Sequence, residues 1–248
     1  MTIYAVANHK GGVGKTTTTA ALGHGLALAG SRVLVVDLDA QGNLARALGQ
    51  APTDGVYGVL VRHQPITSRV IAVRPGLDLD LLPSDGSTLE AALVLTGRKF
   101  RERVLARALE PVRQGYDYIL LDCPPGMGLM STNALVAADG LVVPAQVDYL
   151  ATVGLAQLVT SLAELRDAGH DCRLALIVPT MYDRVTNESG AVLRQLADNF
   201  GNLVTAPIPR VTKLRECPAH GQTIFEYAPK SPGAWAYIRV VRRLLDAA

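Results

Sequence analysis

Short apolar runs along this chain alternate with stretches in which apolar residues return every three or four positions. The runs cover residues 3–7, 33–37, 77–82, 118–122, 141–147, 174–178 and 203–206. Most are near-continuous in Val, Ile and Leu, which predicts strands buried on both faces. The stretches between them, 17–29, 89–110, 131–138, 150–168, 188–200 and 232–245, predict amphipathic helices. Gly30, Gly169 and Gly201 stand just past three of these, where a helix stop belongs. The alternation predicts an α/β fold, a mostly parallel twisted sheet flanked by helices. Residues 49–74 are the least regular part. No repeat, low-complexity tract or linker divides the chain, so residues 1–248 read as a single domain.

Chemistry enters at the first strand-to-helix junction. Residues 8–17 read Asn-His-Lys-Gly-Gly-Val-Gly-Lys-Thr-Thr. Glycines here let successive backbone N–H groups turn inward on a phosphate, and the helix that follows adds its positive end. Lys15 is placed to reach β- and γ-phosphates, and Thr16 to offer its hydroxyl to Mg²⁺. The usual phosphate-loop pattern asks for glycine at position 9, where this chain has His9, and a second lysine follows at Lys10. One phosphate cradle does not need both lysines. Lys10 is either a solvated surface lysine or a cation that reaches the nucleotide of a second subunit in a face-to-face dimer.

Two further runs end in carboxylates. Asp122 closes the run 118–122 and suits a water in the Mg²⁺ shell. Asp37 and Asp39 close the run 33–37 and its extension, two residues apart and on the same side of an extended strand. Asp37 can support the metal shell, and Asp39 can orient an attacking water by position rather than as a strong base.

Composition narrows the classes. No run of 18 or more apolar residues is present, and the first strand begins almost at Met1, leaving no room for a signal peptide. Cys123, Cys172 and Cys217 fit no disulfide or metal spacing, which suggests a reducing cytoplasm. From Arg184 onward nine Lys/Arg face five Asp/Glu, whereas residues 1–183 hold fifteen against seventeen. Basic charge thus gathers in the last quarter, a hint of a polyanionic partner.

Lys10-Gly11-Gly12-Val13-Gly14-Lys15-Thr16-Thr17 resembles the deviant Walker A motif of the ParA/MinD family of partition and positioning ATPases. Asp37-Leu38-Asp39-Ala40-Gln41-Gly42-Asn43 is similar to its second motif, and Asp122-Cys123-Pro124-Pro125 to its Walker B. Ile208-Pro209-Arg210, Leu214, Glu216, Pro218 and His220-Gly221 resemble the C-terminal motif of the ParA (Soj-like) branch. The likeness runs in order from residue 3 to about 243. It implies a P-loop NTPase fold, Mg²⁺-dependent ATP hydrolysis, and an ATP-sandwich homodimer with Lys10 as the signature lysine. Residues 10–17 and Pro209 would hold nucleotide, with Lys10, Lys15 and Asp39 catalytic and Thr16, Asp37 and Asp122 at the metal.

The same resemblance implies nonspecific double-stranded DNA binding through Arg184, Arg210, Lys213 and Arg215, with a ParB-like protein stimulating hydrolysis on the nucleoid. No separate N-terminal DNA-reading domain and no membrane attachment are expected. His9, Ala40, Gly126-Met127, Arg215 and Cys217 depart from the family's common residues, and none removes a phosphate, metal or water ligand. A MinD-like membrane switch using residues 238–245 and a metabolic P-loop enzyme are the alternatives. An iron–sulfur relative would need cysteine pairs that this spacing lacks.

Overall fold

The computed structural model describes residues 1–149 and 151–247. Among these, seven strands form one sheet: β1 (Thr2–Val6), β2 (Val33–Asp37), β3 (Ile71–Ala72), β4 (Leu79–Leu82), β5 (Tyr118–Asp122), β6 (Gly140–Gln146) and β7 (Arg173–Thr180). Their order is β3-β4-β2-β5-β1-β6-β7, and every pairing is parallel except β3 with β4. The parallel strands need helical crossovers, which cover both faces. The helices are α1 (Lys15–Leu28), α2 (Asn43–Ala47), α3 (Gly55–Leu60), α4 (Ser87–Thr96), α5 (Val104–Leu109) and α6 (Leu129–Ala137). They continue with α7 (Ala151–Asp167), α8 (Asn187–Phe200), α9 (Thr212–Glu216), α10 (Ile224–Tyr227) and α11 (Pro232–Leu245).

Side chains alternate across the pleat and build two cores. Ile3, Ala5, Leu34, Val36, Ile119 and Leu121 face one cluster with Leu105, Leu135, Leu158 and Leu196. Tyr4, Val6, Val33, Val35 and Leu120 face the other, with Leu22 and Leu26 of α1 and Tyr237, Val240 and Leu244 of α11. α1 lies tight on the sheet because Gly23 has no side chain: a Cβ there would stand 2.6 Å from Val35. α11 starts at Pro232, with the Ser231 hydroxyl accepting from the Ala234 amide at 3.2 Å. Its apolar face is buried, and Trp235, Arg239 and Arg242 point outward. Residues 238–245, the segment a membrane switch would use, are thus docked on the core. Among the described residues no helix is long and apolar enough to cross a membrane.

Three expectations change. The run 203–206 is not a strand: after a 3-10 turn at Gly201–Leu203, one isolated bridge, Val204 to Ile177, joins it to β7. Pro207 and Pro209 supply no N–H to continue the ladder. The helix expected over 89–110 is broken between α4 and α5, where Phe100 takes φ +56. The irregular 49–74 contains α3 and the short antiparallel edge strand β3. The helix expected from residue 150 is α7, and its expected first residue lies outside the described residues. Gly30, Gly169 and Gly201 all have positive φ after their helices, as the sequence predicts.

Candidate nucleotide site

The loop between β1 and α1 is shaped from below. Buried Asn8 donates its side-chain amide to the Pro144 carbonyl at 2.7 Å and accepts the Lys10 N–H at 3.1 Å. Gly12 and Gly14 have φ +75 and +92, which a side chain would strain. Gly14 is also the N-cap of α1, so the loop ends on the positive end of that helix. Thr180, at the end of β7, donates its hydroxyl to the Val13 carbonyl at 2.9 Å and holds the loop from the far side.

Lys15 is 7 % exposed, and its ammonium donates to the Lys10 carbonyl at 3.1 Å. Burial pulls its pKa down, and the nearby Asp122 carboxylate opposes that. An ammonium turned back on its own loop is a donor that an anion in the loop would satisfy better. Lys10 sits on the outer shoulder, partly exposed, and is paired with Asp148 beyond the end of β6.

Asp37 and Asp122 are register partners on β2 and β5, both with no exposed surface. Burial raises both carboxyls above the usual range, and their mutual repulsion adds to the rise at Asp122. Their satisfaction differs. Asp37 accepts from the Asp39 and Leu44 amides at 3.0 and 3.2 Å, so both its oxygens brace the loop after β2. Asp122 accepts from the Thr19 hydroxyl at 2.9 Å through one oxygen, and its other oxygen, Oδ2, is buried with no partner.

An orphaned carboxylate oxygen beside the Thr16 end of the loop fits a Mg²⁺ shell. Thr16 and Asp122 are the residues that would hold the ion or its waters, while Asp37 supports the loop beside it. Among the described residues no cluster of three or more His, Cys, Asp or Glu could hold a metal by itself. An ion held beside Thr16 and Asp122 would supply positive charge to offset that of the phosphates.

Two cavities meet at the loop. One, of about 480 Å³, is lined by Gly11, Gly12, Lys15, Thr16, Asp39 and Asn43. Half-buried Asp39 accepts the Gln41 amide at 3.0 Å, and its carbonyl accepts the Ser84 hydroxyl at 2.6 Å. The other, of about 350 Å³, is predominantly apolar and is lined by Val13, Thr17, Met181, Ile208, Pro209, Leu214 and Tyr237. Gly14, Thr17, Met181, Leu214 and Arg215 border both, so a polar phosphate site opens directly into an apolar one. That pairing suits a nucleotide, with its flat base on the apolar side.

The sequence-predicted basic residues divide. Arg210 lines the apolar cavity and Arg215 both cavities. Lys213 is exposed, pairs with Glu216 at 3.1 Å and lies over the Tyr227 ring. Arg184 is exposed on the loop after β7, and that loop runs beside the Arg210 segment through the Arg210 N–H and the Tyr182 carbonyl at 2.9 Å. Sequence reasoning missed Thr180, Met181 and Tyr237. Met181 takes φ +55, uncommon for a residue with a side chain, at the junction of the cavities. No local signal announces any of the three; Asn43 carried one through the second motif, and Leu214 and Pro218 through the C-terminal motif.

Comparison with known proteins agrees with this geometry. Residues 1–175 match the AAA_31 family, an AAA domain. The chain is 43% identical over 244 residues to the chromosome-partitioning ATPase Soj of Thermus thermophilus, covering 97% of this chain and 94% of that protein. It is 39% identical over 247 residues to the sporulation initiation inhibitor protein Soj of Bacillus subtilis, covering 98% and 97%. A crystal structure of cobyrinic acid a,c-diamide synthase from Mycobacterium smegmatis, with bound ATP analog and magnesium, superposes with a TM-score of 0.84 at 35% identity, covering 99% and 94%. A two-lysine phosphate loop, an orphaned metal-side carboxylate and near-full-length likeness to Soj converge on one answer: the chain belongs to the AAA_31 family, in the Soj-like branch of the ParA/MinD ATPases, and is an ATPase that uses ATP and Mg²⁺.

Proposed function

We propose that this ParA-type partition ATPase works as one unit across residues 1–248 and cycles between a monomer and an ATP-sandwich homodimer. Backbone amides of residues 11–17 and Lys15 cradle the phosphates. Thr16 and Asp122 serve the Mg²⁺ shell with Asp37 as support, Asp39 orients the attacking water, and Pro209 borders the base. Lys10 leaves Asp148 to reach the partner's nucleotide, where a cation given in trans is worth about 10³-fold or more in rate. Asp39 acts by position: a carboxylate next to bound metal and phosphates stays ionised.

The dimer is the form that binds double-stranded DNA without reading sequence. Arg184, Lys213 and the outward parts of Arg210 and Arg215 supply the phosphate contacts. A few contacts per chain bind weakly, because affinity scales with the number of phosphates neutralised, and pairing two chains multiplies them. A ParB-like partner stimulates hydrolysis and releases the chain, which places it in the cytoplasm on the nucleoid with a plasmid, chromosome or protein assembly as cargo.

The observation that carries this reading is the 43% identity, over 97% of this chain, with a chromosome-partitioning ATPase. The test is DNA binding with ADP, ATP and a nonhydrolysable analogue, on wild type and Arg184→Glu. Binding is expected only with ATP or the analogue, and Arg184→Glu is expected to dimerise yet lose DNA. A variant that still co-sediments with DNA at low salt removes Arg184 from the interface. The name of the Mycobacterium smegmatis relative motivates a second reading, ATP-driven activation of a small molecule. That reading requires turnover to depend on a small-molecule co-substrate, so ATP hydrolysis by the purified chain with DNA and partner alone counts against it.

A further inference from the structure

Away from the nucleotide cavities, α4 and the turn after it leave a group of large apolar side chains exposed. Leu89 and Leu93, one helical turn apart on α4, are 64% and 76% exposed, and Val94 and Phe100 beside them are 40% and 59% exposed. Four large apolar side chains within twelve residues is an unusual concentration for a folded surface. The chain then turns through Phe100 in the left-handed conformation and presents a basic run. Residues 97–107 contain five Lys/Arg and a single acid, Glu102. Among the described residues, none of the five is in an ion pair.

A groove of about 440 Å³ opens beside this run. Its floor includes Val59, Ile66, Val104 and Ala108, and Arg98, Lys99 and Arg107 are on its rim. An apolar floor under a cationic rim, which follows the apolar α4 face along the chain, has a defined complement: apolar side chains interleaved with carboxylates.

We propose that the α4 face and the adjoining Arg98–Lys99 groove form a docking site for an acidic amphipathic segment of a partner protein. Charge decides among the occupants. A second copy of this chain meeting the patch about a two-fold axis would bring basic run against basic run. A flat anionic lipid surface would leave the concave groove unfilled. The phosphate backbone of duplex DNA would satisfy the cations and leave Leu89, Leu93 and Val94 against a charged surface. An amphipathic peptide with Leu or Phe on one face and Glu or Asp on its flanks satisfies all three features.

The site does not depend on the partition role, and its test uses the nucleotide-free full chain. The probe is a fluorescein-labelled helical peptide of about 18 residues, roughly five turns, with Leu on one face and Glu on the other. Its control replaces every Glu with Lys. The acidic peptide is expected to bind saturably and more weakly as salt rises, and the basic control is not. Leu93→Glu with Phe100→Glu, and separately Arg98→Glu with Lys99→Glu, should each weaken binding about tenfold or more. Leu93, Lys99 and Phe100 are exposed and Arg98 is half-buried, away from the nucleotide cavities, so both variants should keep wild-type ATP affinity, which serves as the folding check.

Equal binding of the two peptides, binding of neither, or wild-type affinity in both variants overturns the proposal. So does loss of binding to phosphatidylglycerol vesicles or to duplex DNA in these variants while the peptide is ignored, which would reassign the surface to lipid or nucleic acid.

Discussion

On the proposed reading, the phosphate side and the base side of the candidate site are built in opposite ways. The phosphate side is a contiguous loop, residues 8–17, with its amides, lysine and threonines in one stretch of chain. It is braced by buried groups: Asn8 beneath it, Thr180 behind it and Asp122 beside Lys15. The base side comes from four distant places, Val13–Thr17 (13–17), Thr180–Met181 (180–181), the 208–215 segment and Tyr237. It is apolar, and Arg210 and Arg215 at its edge are exposed. The contrast teaches that electrostatic precision is local here, whereas hydrophobic shape is assembled. A buried ammonium and a buried carboxylate must be held within hydrogen-bond distance, while an apolar wall tolerates parts brought from anywhere.

The comparison can be broken most forcefully at Lys15. Lys15→Ala should lower ATP affinity about a hundredfold or more by titration calorimetry, because a charge-assisted contact in a dry site is lost. Unchanged affinity would mean that the amides alone make the phosphate side. Asp39→Ala should come next: ATP binding retained, and single-turnover hydrolysis slowed about a hundredfold. Hydrolysis at the wild-type rate would remove Asp39 from water positioning.

On the base side effects should be smaller and selective. Leu214→Ala should weaken ATP about three- to tenfold while leaving tripolyphosphate binding unchanged, since only the base meets the apolar wall. A parallel loss for tripolyphosphate would show the two sides are one cooperative unit. The smallest change is at the joint between them. The Tyr237 hydroxyl meets the Thr18 hydroxyl at 3.0 Å in a fully buried contact between α11 and α1. Tyr237→Phe should cost about 1 kcal/mol in urea denaturation and leave nucleotide binding alone. An unchanged midpoint would show that this hydrogen bond does not tie the base side to the loop helix.

Much of the framework was legible, and the misreadings have physical causes. Six strands were visible as apolar runs because burial on both faces leaves a continuous hydrophobic signature. The edge strand β3 has only two residues and no such signature. Residues 203–206 have the signature but lead into Pro207 and Pro209, so the ladder fails for want of donors. The helical period across 89–110 hid a break, because Leu95 and Leu105 keep facing the core while the backbone turns at Phe100. At the site, Asp37 and Asp122 were both visible as strand-ending carboxylates. Which one has a free oxygen depends on amides from Asp39 and Leu44, and strand periodicity says nothing of these.

By itself the sequence determined the α/β alternation, the phosphate loop with its two lysines and the carboxylates at the strand ends. These rest on local rules: glycine conformational freedom, side-chain period and helix capping act over a few residues. Tertiary structure alone decided that Lys10 meets Asp148, that Thr180 holds Val13 across 167 residues, and that Arg215 borders the nucleotide cavities. It also decided that four apolar side chains around α4 stay in water. Pairings and exposures of this kind depend on strand order and helix packing, which bring together residues that no local pattern connects.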